Sequence, residues 1–458
     1  MSDPLVQADN QGHQQVLDQF SAALGSGRMQ LAQRMLQGLH PAEIAHLLES
    51  LPRAQRNIIW EFTDPNDDGE ILLNTNEEVR ASLINRMDEA ELVDALDGMP
   101  LDDLADILED LPNRLTDVVL ESMTAQQRHL LESVRSWPED SAGGLMDTDA
   151  ITVRADVTLD VVLRFLRMRG ELPNHTDALY VLDRYGHYRG ALSLRDLLTE
   201  SPDQLVAEVL NSEVSAIQAD TAATTVASLF QDRDLVSAPV VNENNELIGR
   251  ITIDDVVDVI RDQAEHNMLS MAGLDEDEDL FAPVVKSSSR RAIWLGVNLL
   301  TALIASWVVG LFQATINDVV ALAVLMPVVA SMGGIAGSQT LTLVIRAQAL
   351  EQISRSNSST LLRKEMSIGA LNGFAWAIII AIIAFFWFDN QKLGLVIATA
   401  VFVNMVFGVL AGFSIPLILK RLSIDPALAG NVVLTTVTDV VGFFAFLGLG
   451  SLVLVAVL

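Results

Sequence analysis

One carboxylate, Asp439, stands inside the apolar run "NVVLTTVTDVVGFFAFLGLG" at 431–450. An acid at the centre of a membrane helix costs about 2.5–3.5 kcal/mol, so it is kept where it faces a water-filled path or a partner. Its neighbours carry oxygen. Asn431, Thr435 and Thr438 or Asp439 recur at spacings of four and three to four, which puts them on one side of a helix. A single acid among oxygen-bearing side chains suits a hard cation, which takes oxygen ligands or keeps its own water. At the head of this run, Asp425 followed by Pro426 reads as a helix N-cap and first-turn pair. A second polar set lies in "PVVASMGGIAGSQTLTLVIR" (327–346), with Gly333, Gly334, Gly337, Ser338, Gln339, Thr340 and Thr342. Two readings fit its glycines: close helix packing through small residues, or a broken helix that turns carbonyls toward a cavity.

These residues need membrane helices to hold them. Five apolar stretches follow Arg290-Arg291, at about 292–314, 319–346, 367–388, 393–419 and 427–457. Each reaches the roughly 20 residues that cross the hydrocarbon core. Basic residues gather at 290–291, at 346, 355, 363 and 364, and at 420–421, while the alternate connections carry little net charge. The positive-inside rule therefore places the N-terminal half in the cytoplasm and the C-terminus outside. Composition divides in the same way. The 458 residues have a net charge of −31, yet residues 290–458 hold nine Lys+Arg against six Asp+Glu. The net negative charge thus lies entirely before residue 290, which disfavours nucleic-acid binding and attracts cations. The chain has no cysteine, which excludes disulfides and thiolate metal sites. Its first residues, "MSDPLVQADNQGHQQ", lack the basic and apolar regions of a signal peptide.

An internal repeat occupies 148–260. "ADVTLDVVLRFLRM" (155–168) aligns with "ADTAATTVASLFQD" (219–232), and "YVLDRYGHYRGALSLRDLL" (180–198) with "PVVNENNELIGRITIDDVV" (239–257). Each unit reads strand, helix, strand, turn, strand, helix. The recurring "GALSLRD" and "GRITIDD" place Ser or Thr ahead of Asp. Such a Ser caps a helix whose N-terminus can receive a phosphate, and the Asp can accept from a ribose hydroxyl; an ordinary cap explains the Ser and Thr alone. Upstream, "AEIAHLLESLP", "AELVDALDGMP" and "DDLADILEDLP" begin at multiples of twelve apart, which predicts stacked short helices, each closed by Pro. Downstream, Asp255, Asp258, Asp262 and Glu265 form one acidic stripe on a helix. It is either a solvated face or a surface that needs cations between its charges.

The tandem repeat resembles a pair of cystathionine-β-synthase-type (CBS) domains. Together with "PVVASMGGIAGSQTLTLVIRA" and "DPALAGNVVLTTVTDV", the chain resembles the MgtE family of magnesium channels along nearly its whole length. The resemblance implies a multidomain fold: an all-α superhelical acidic N-domain at 1–135, α/β tandem CBS domains at 136–260, a plug or connecting helix at 254–289, and a polytopic α-helical membrane domain of five spans at 290–458. It implies a homodimer in the cell inner membrane, surrounded by lipid, that conducts Mg²⁺ and is closed by intracellular Mg²⁺. Pore residues would be Asp439, Asn431 and Asp425. Sensing residues would be Asp255, Asp258, Asp234, Asp102 and Asp106. ATP, or another adenine nucleotide, would bind at Ser193, Arg195 and Asp196. The chain departs from the family pattern in three places: Ile335 stands for Asn, Gln263 and His266 stand for carboxylates, and Gly430-Asn431 stands where many relatives have Ser-Gly.

Other functions compete with this one. The same architecture could carry Co²⁺ or Mn²⁺ or couple transport to protons, and a nucleotide-sensing receptor would leave Asp439 unexplained. An intramembrane aspartyl hydrolase needs two carboxylates in one site, yet only Asp439 falls inside an expected span. A metal-dependent one would want His, and all seven His precede residue 290. No enzyme is expected.

Overall fold

The computed structural model describes residues 17–270, 272–274, 279–350, 352–354 and 356–455. They divide into two compact units: residues 17–265 with 279–282, and residues 266–274 with 283–455. 

The first unit opens with short helices, among them Pro41–Glu49, Arg53–Trp60, Glu77–Ile84, Glu89–Leu96, Leu101–Glu109, Asn113–Ser122 and Ala125–Val134. Local chemistry sets their starts. Asp88 with Glu91, and Thr124 with Gln127, form reciprocal capping boxes. The prolines do something other than close helices. Pro52, Pro100 and Pro112 are the N-cap residues of the next helices, where a missing N–H costs nothing. Each helix turns its leucines and isoleucines inward, and their core runs on without a break into the second CBS repeat through Met146, Val226, Phe230, Val240 and Ile251.

The two repeats have the same topology. Strands β1 (Thr152–Arg154), β2 (Ala178–Leu182) and β3 (Tyr188–Ser193) form one sheet; β4 (Ile217–Gln218), β5 (Ser237–Val241) and β6 (Leu247–Thr252) form the other. In both, the first strand runs parallel to the middle one and the last antiparallel. The irregularity in pairing also recurs, between Val181 and Leu182 and between Val240 and Val241. Tyr180 and Ser237 tie the sheets together through hydroxyls 2.8 Å apart, and Ser237 donates in turn to Asp177. 

Residues 279–282 are fastened to the helical part of this unit. The Arg56 guanidinium, wholly buried, donates to both oxygens of Asp279 at 2.8 Å and to the carbonyls of Leu48 and Leu51. Burial alone would raise the Asp279 carboxyl, but hydrogen bonds from Arg56 and the Phe281 N–H outweigh it and hold the group below the usual carboxylate range.

The second unit holds five helices long and apolar enough to cross a membrane: Val284–Leu311, Ala321–Ala349, Ser358–Phe388, Gln391–Arg421 and Pro426–Leu454. The fourth is central and packs on the second, third and fifth. The glycine run leaves the second span unbroken, so close packing is the reading that holds. A Cβ on Gly408 or Gly412 would lie 2.4 or 2.3 Å from the carbonyl oxygens of Gly333 and Gly337. Asn404, wholly buried on the fourth span, donates to the Val329 carbonyl of the second. Gly334 points elsewhere: a Cβ there would meet only the Thr438 hydroxyl, at 3.9 Å.

Candidate ion-conducting site

Gly334 faces an open groove of about 670 Å³ between the second and fifth spans. Ser331, Ser338, Gln339, Thr342, Thr435, Thr438 and Asp439 line it with Ile335. Asp439 is its only carboxylate. The threonine hydroxyls of the fifth span donate to their own helix, Thr435 to Asn431 and Thr438 to Leu434, which leaves their oxygen lone pairs as acceptors. The wall is therefore one charge among neutral oxygens. It suits a cation that keeps its water, because hydroxyl and carbonyl oxygens accept from that shell while the carboxylate attracts the charge.

The other two pore candidates are placed differently. Asn431 lies outside the groove wall, with its carbonyl oxygen accepting from Ser338, a wall residue, at 3.3 Å. Asp425 is the N-cap of the fifth span and accepts from the Ala427 N–H. Its second oxygen is 3.2 Å from His266 Nε2. Fourteen residues separate Asp425 from Asp439, about 21 Å of helix rise, so the two cannot hold one ion. The histidine noted for replacing a carboxylate is thus a partner for Asp425, which no sequence spacing would reveal. Sequence reading also missed a second buried acid. The third span begins at Ser358, not 367, and Glu365 is buried within it. Glu365 and Asp439 line different cavities and form no catalytic pair.

In the first unit, the Leu101–Glu109 helix meets the start of the Ile253–Ser270 helix. Asp102, Asp103, Asp147, Asp254, Asp255 and Asp258 act on one another there. Burial and then the neighbouring carboxylates push Asp103 up to about 7 and Asp255 up to about 6, and raise Asp102 well above the usual range. Asp102 is 7% exposed, and one of its oxygens has no hydrogen-bond partner. Asp255 is partly engaged, accepting from Thr252 N–H and hydroxyl at 3.1 Å. Asp106 sits further along, beside Glu139, Glu109 and Arg80, and is pushed up to about 7, mainly by burial. Asp234 is apart from both groups, in left-handed conformation at the end of the Ala223–Arg233 helix. Among the described residues, no three His, Asp or Glu side chains converge on a ready metal site within one chain.

At the first repeat, the Ser193 hydroxyl accepts from the Asp196 N–H at 3.0 Å and caps the Leu194–Thr199 helix. The Arg195 side chain is mostly in solvent, and the Asp196 side chain is about one-third exposed.

The fold and groove define a membrane transporter with a CBS pair. Family models agree over most of the chain: a divalent cation transporter model, MgtE, at 326–449, the MgtE intracellular N domain at 39–140, and CBS domains at 142–203 and 206–262. The chain is 30% identical to the magnesium transporter MgtE of Thermus thermophilus, covering 95% of this chain and 98% of that one. It is 27% identical to the magnesium transporter MgtE of Bacillus subtilis, covering 96% and 98%. A solved structure, the cytosolic domain of the Mg²⁺ channel MgtE in complex with ATP, is 31% identical over 53% of this chain and 99% of that one, with a TM-score of 0.48. The chain belongs to the MgtE family, and is a transporter rather than an enzyme.

Proposed function

We propose that this chain forms a Mg²⁺-selective channel in the cell inner membrane, closed by cytoplasmic Mg²⁺ and modulated by ATP. The observation that carries the reading is the groove whose one charge is Asp439. Mg²⁺ dehydrates reluctantly, so a wall of neutral oxygens around a single acid fits a hydrated ion. Two copies about a two-fold axis would face two such acids across one path. The N-terminal half is cytoplasmic and the C-terminus outside, on the distribution of Lys and Arg. Asn431 and Asp425 lie toward the cytoplasmic mouth, where an entering ion would meet them after Asp439.

Sensing falls to the acidic face around Asp102, Asp255 and Asp258. Buried carboxylates with an unpartnered oxygen are costly, and a divalent cation between them relieves both burial and repulsion. Asp106 and Asp234 supply further acids at separate positions. Ser193, Arg195 and Asp196 would hold the nucleotide, with Asp196 on a ribose hydroxyl. Ile335 in the groove wall favours a second reading, in which Co²⁺ or Mn²⁺ also passes, because its apolar side chain offers no oxygen to the ion's water shell.

Flux in liposomes tests the reading. Mg²⁺ should enter, and Asp439→Asn should abolish most of that entry. Equal flux in the variant would reject the groove as the path; a panel of Mg²⁺, Mn²⁺ and Co²⁺ ranks the ions.

A further inference from the structure

A second cavity, of about 500 Å³, lies between the second, third and fourth spans. Its polar lining is Gln339, Thr340, Lys364, Glu365 and Asn372, and Trp376 forms part of the apolar remainder. Glu365 is 7% exposed, and its compensation is thin. Thr340 donates to one oxygen at 3.4 Å, and the Lys364 ammonium is 3.8 Å from the other but is itself mostly in solvent. A buried acid in a membrane helix needs more than a long hydroxyl bond and a solvated neighbour.

The orientation of Thr340 points the same way. Thr399, Thr435, Thr436 and Thr438 all donate to the carbonyl four residues back in their own helices, as intrahelical threonines do. The hydroxyl of Thr340 donates across to the carboxylate instead. A water occupies about 30 Å³, so six shell waters need about 180 Å³, and the cavity has room for a hexahydrated ion. Ile335 and Gln339 line this cavity and also the Asp439 groove. The two spaces therefore share a wall, one of whose members is an amide with an acceptor oxygen.

We propose that the Glu365 cavity is a second binding site for a hydrated divalent cation, beside the main groove. Glu365 supplies the charge, and Thr340, Gln339 and Asn372 supply oxygen acceptors for the shell. This rests on the divalent-cation reading above, but the site is separate from Asp439.

The full chain in detergent or nanodiscs, labelled with 5-fluorotryptophan, gives a local readout. The Trp376 fluorine resonance is assigned by Trp376→Phe, and Mn²⁺ is the paramagnetic probe. Mn²⁺ should broaden the Trp376 line saturably, excess Mg²⁺ should sharpen it again, and Asp439→Asn should leave both effects in place. Glu365→Gln should raise the half-saturating Mn²⁺ at least tenfold, and Thr340→Val should raise it several-fold. An unchanged titration in Glu365→Gln overturns the site, as does the absence of saturable broadening in the wild type, or its loss in Asp439→Asn. Should Glu365→Gln fail to fold, Thr340→Val keeps the charge and decides by the same titration. Normal flux in Asp439→Asn alongside Glu365-dependent broadening would reject the main path and leave this site standing.

Discussion

On the proposed reading, Asp439 holds its place in the fifth span because it attracts a cation, and its substitutions separate charge from shape. Asp439→Asn keeps an acceptor oxygen in the groove but removes the attraction, so flux should fall at least tenfold, about 1.4 kcal/mol or more at the ion. Asp439→Ala should remove it altogether while the protein still folds, because the change also relieves a burial cost; liposome flux and gel filtration check the two halves of that statement. Asp196→Ala belongs to the same scale. It removes the expected ribose acceptor while the Ser193 cap, which bonds to the backbone N–H of residue 196, stays intact. ATP affinity measured by calorimetry on the full chain should drop by at least tenfold, the loss of one charge-assisted hydrogen bond of roughly 1.5–3 kcal/mol. Unchanged affinity would make Ser193 and Asp196 structural caps only. What sequence could supply here were residue types and periodicities: Asp439 stood out because an acid in an apolar run is expensive. It could not supply the partner of Asp425, since His266 lies 159 positions away and no period links them.

Elements in the membrane half are held by glycines in pairs four apart, Gly333 and Gly337 on the second span against Gly408 and Gly412 on the fourth. That packing leaves Gly334 free to form groove wall. A side chain at Gly408 or Gly412 would strike backbone rather than a flexible neighbour, so Gly412→Leu should abolish assembly of the folded membrane domain. Gly334→Ala should fold normally, and thermal unfolding followed by fluorescence compares the two. In the cytoplasmic unit the buried Arg56 and Asp279 pair is the comparable fixture. Arg56→Met leaves Asp279 buried without its partner and should cost about 3–5 kcal/mol. Restoring neutrality with Asp279→Asn in the same chain should recover part of it, as a denaturant titration would measure. Helix and strand identity was legible because hydrophobic period and caps are local. The prolines were read only as stops, yet a proline between two helices serves both the end of one and the start of the next. The third span was read short because Arg363, Lys364 and Glu365 interrupt its hydropathy, although Glu365 turns inward. The glycine run could not be resolved from sequence, since the facing pair on the fourth span is about 75 residues distant.

Across the whole molecule, acidity is concentrated where two helical elements meet. Asp103 at about 7 and Asp255 at about 6 bind protons more tightly folded than unfolded. Such a group favours the packed state less and less as pH rises from its unfolded value near 4 to its folded value, because the unfolded chain ionises first. Above about pH 7 the whole penalty is present, and without a counter-ion this interface should be at its loosest. On the proposed reading Mg²⁺ would reverse the penalty by binding the ionised carboxylates, and protons would compete with it for the same oxygens. Three outcomes follow for the full chain, read by protease protection of the cytoplasmic half. At pH 7.5 without Mg²⁺ it should be cut readily, and Mg²⁺ should protect it. Without Mg²⁺, lowering the pH from 7.5 toward 5.5 should itself give protection. The Mg²⁺ needed for half-protection, with the chain otherwise unchanged, should rise as pH falls. If the same acids close the channel, currents should follow the protection curve, and Asp102→Asn with Asp255→Asn should flatten both. Because Gln263 and His266 carry no carboxylate, the closing force is expected to be weaker than a helix acidic at those positions too would give. A swing from 1:99 to 99:1 takes about 5.5 kcal/mol of differential binding, and a shortfall appears as residual current at saturating Mg²⁺. Protection that ignores both Mg²⁺ and pH would reject gating at this interface, whatever Asp439 conducts.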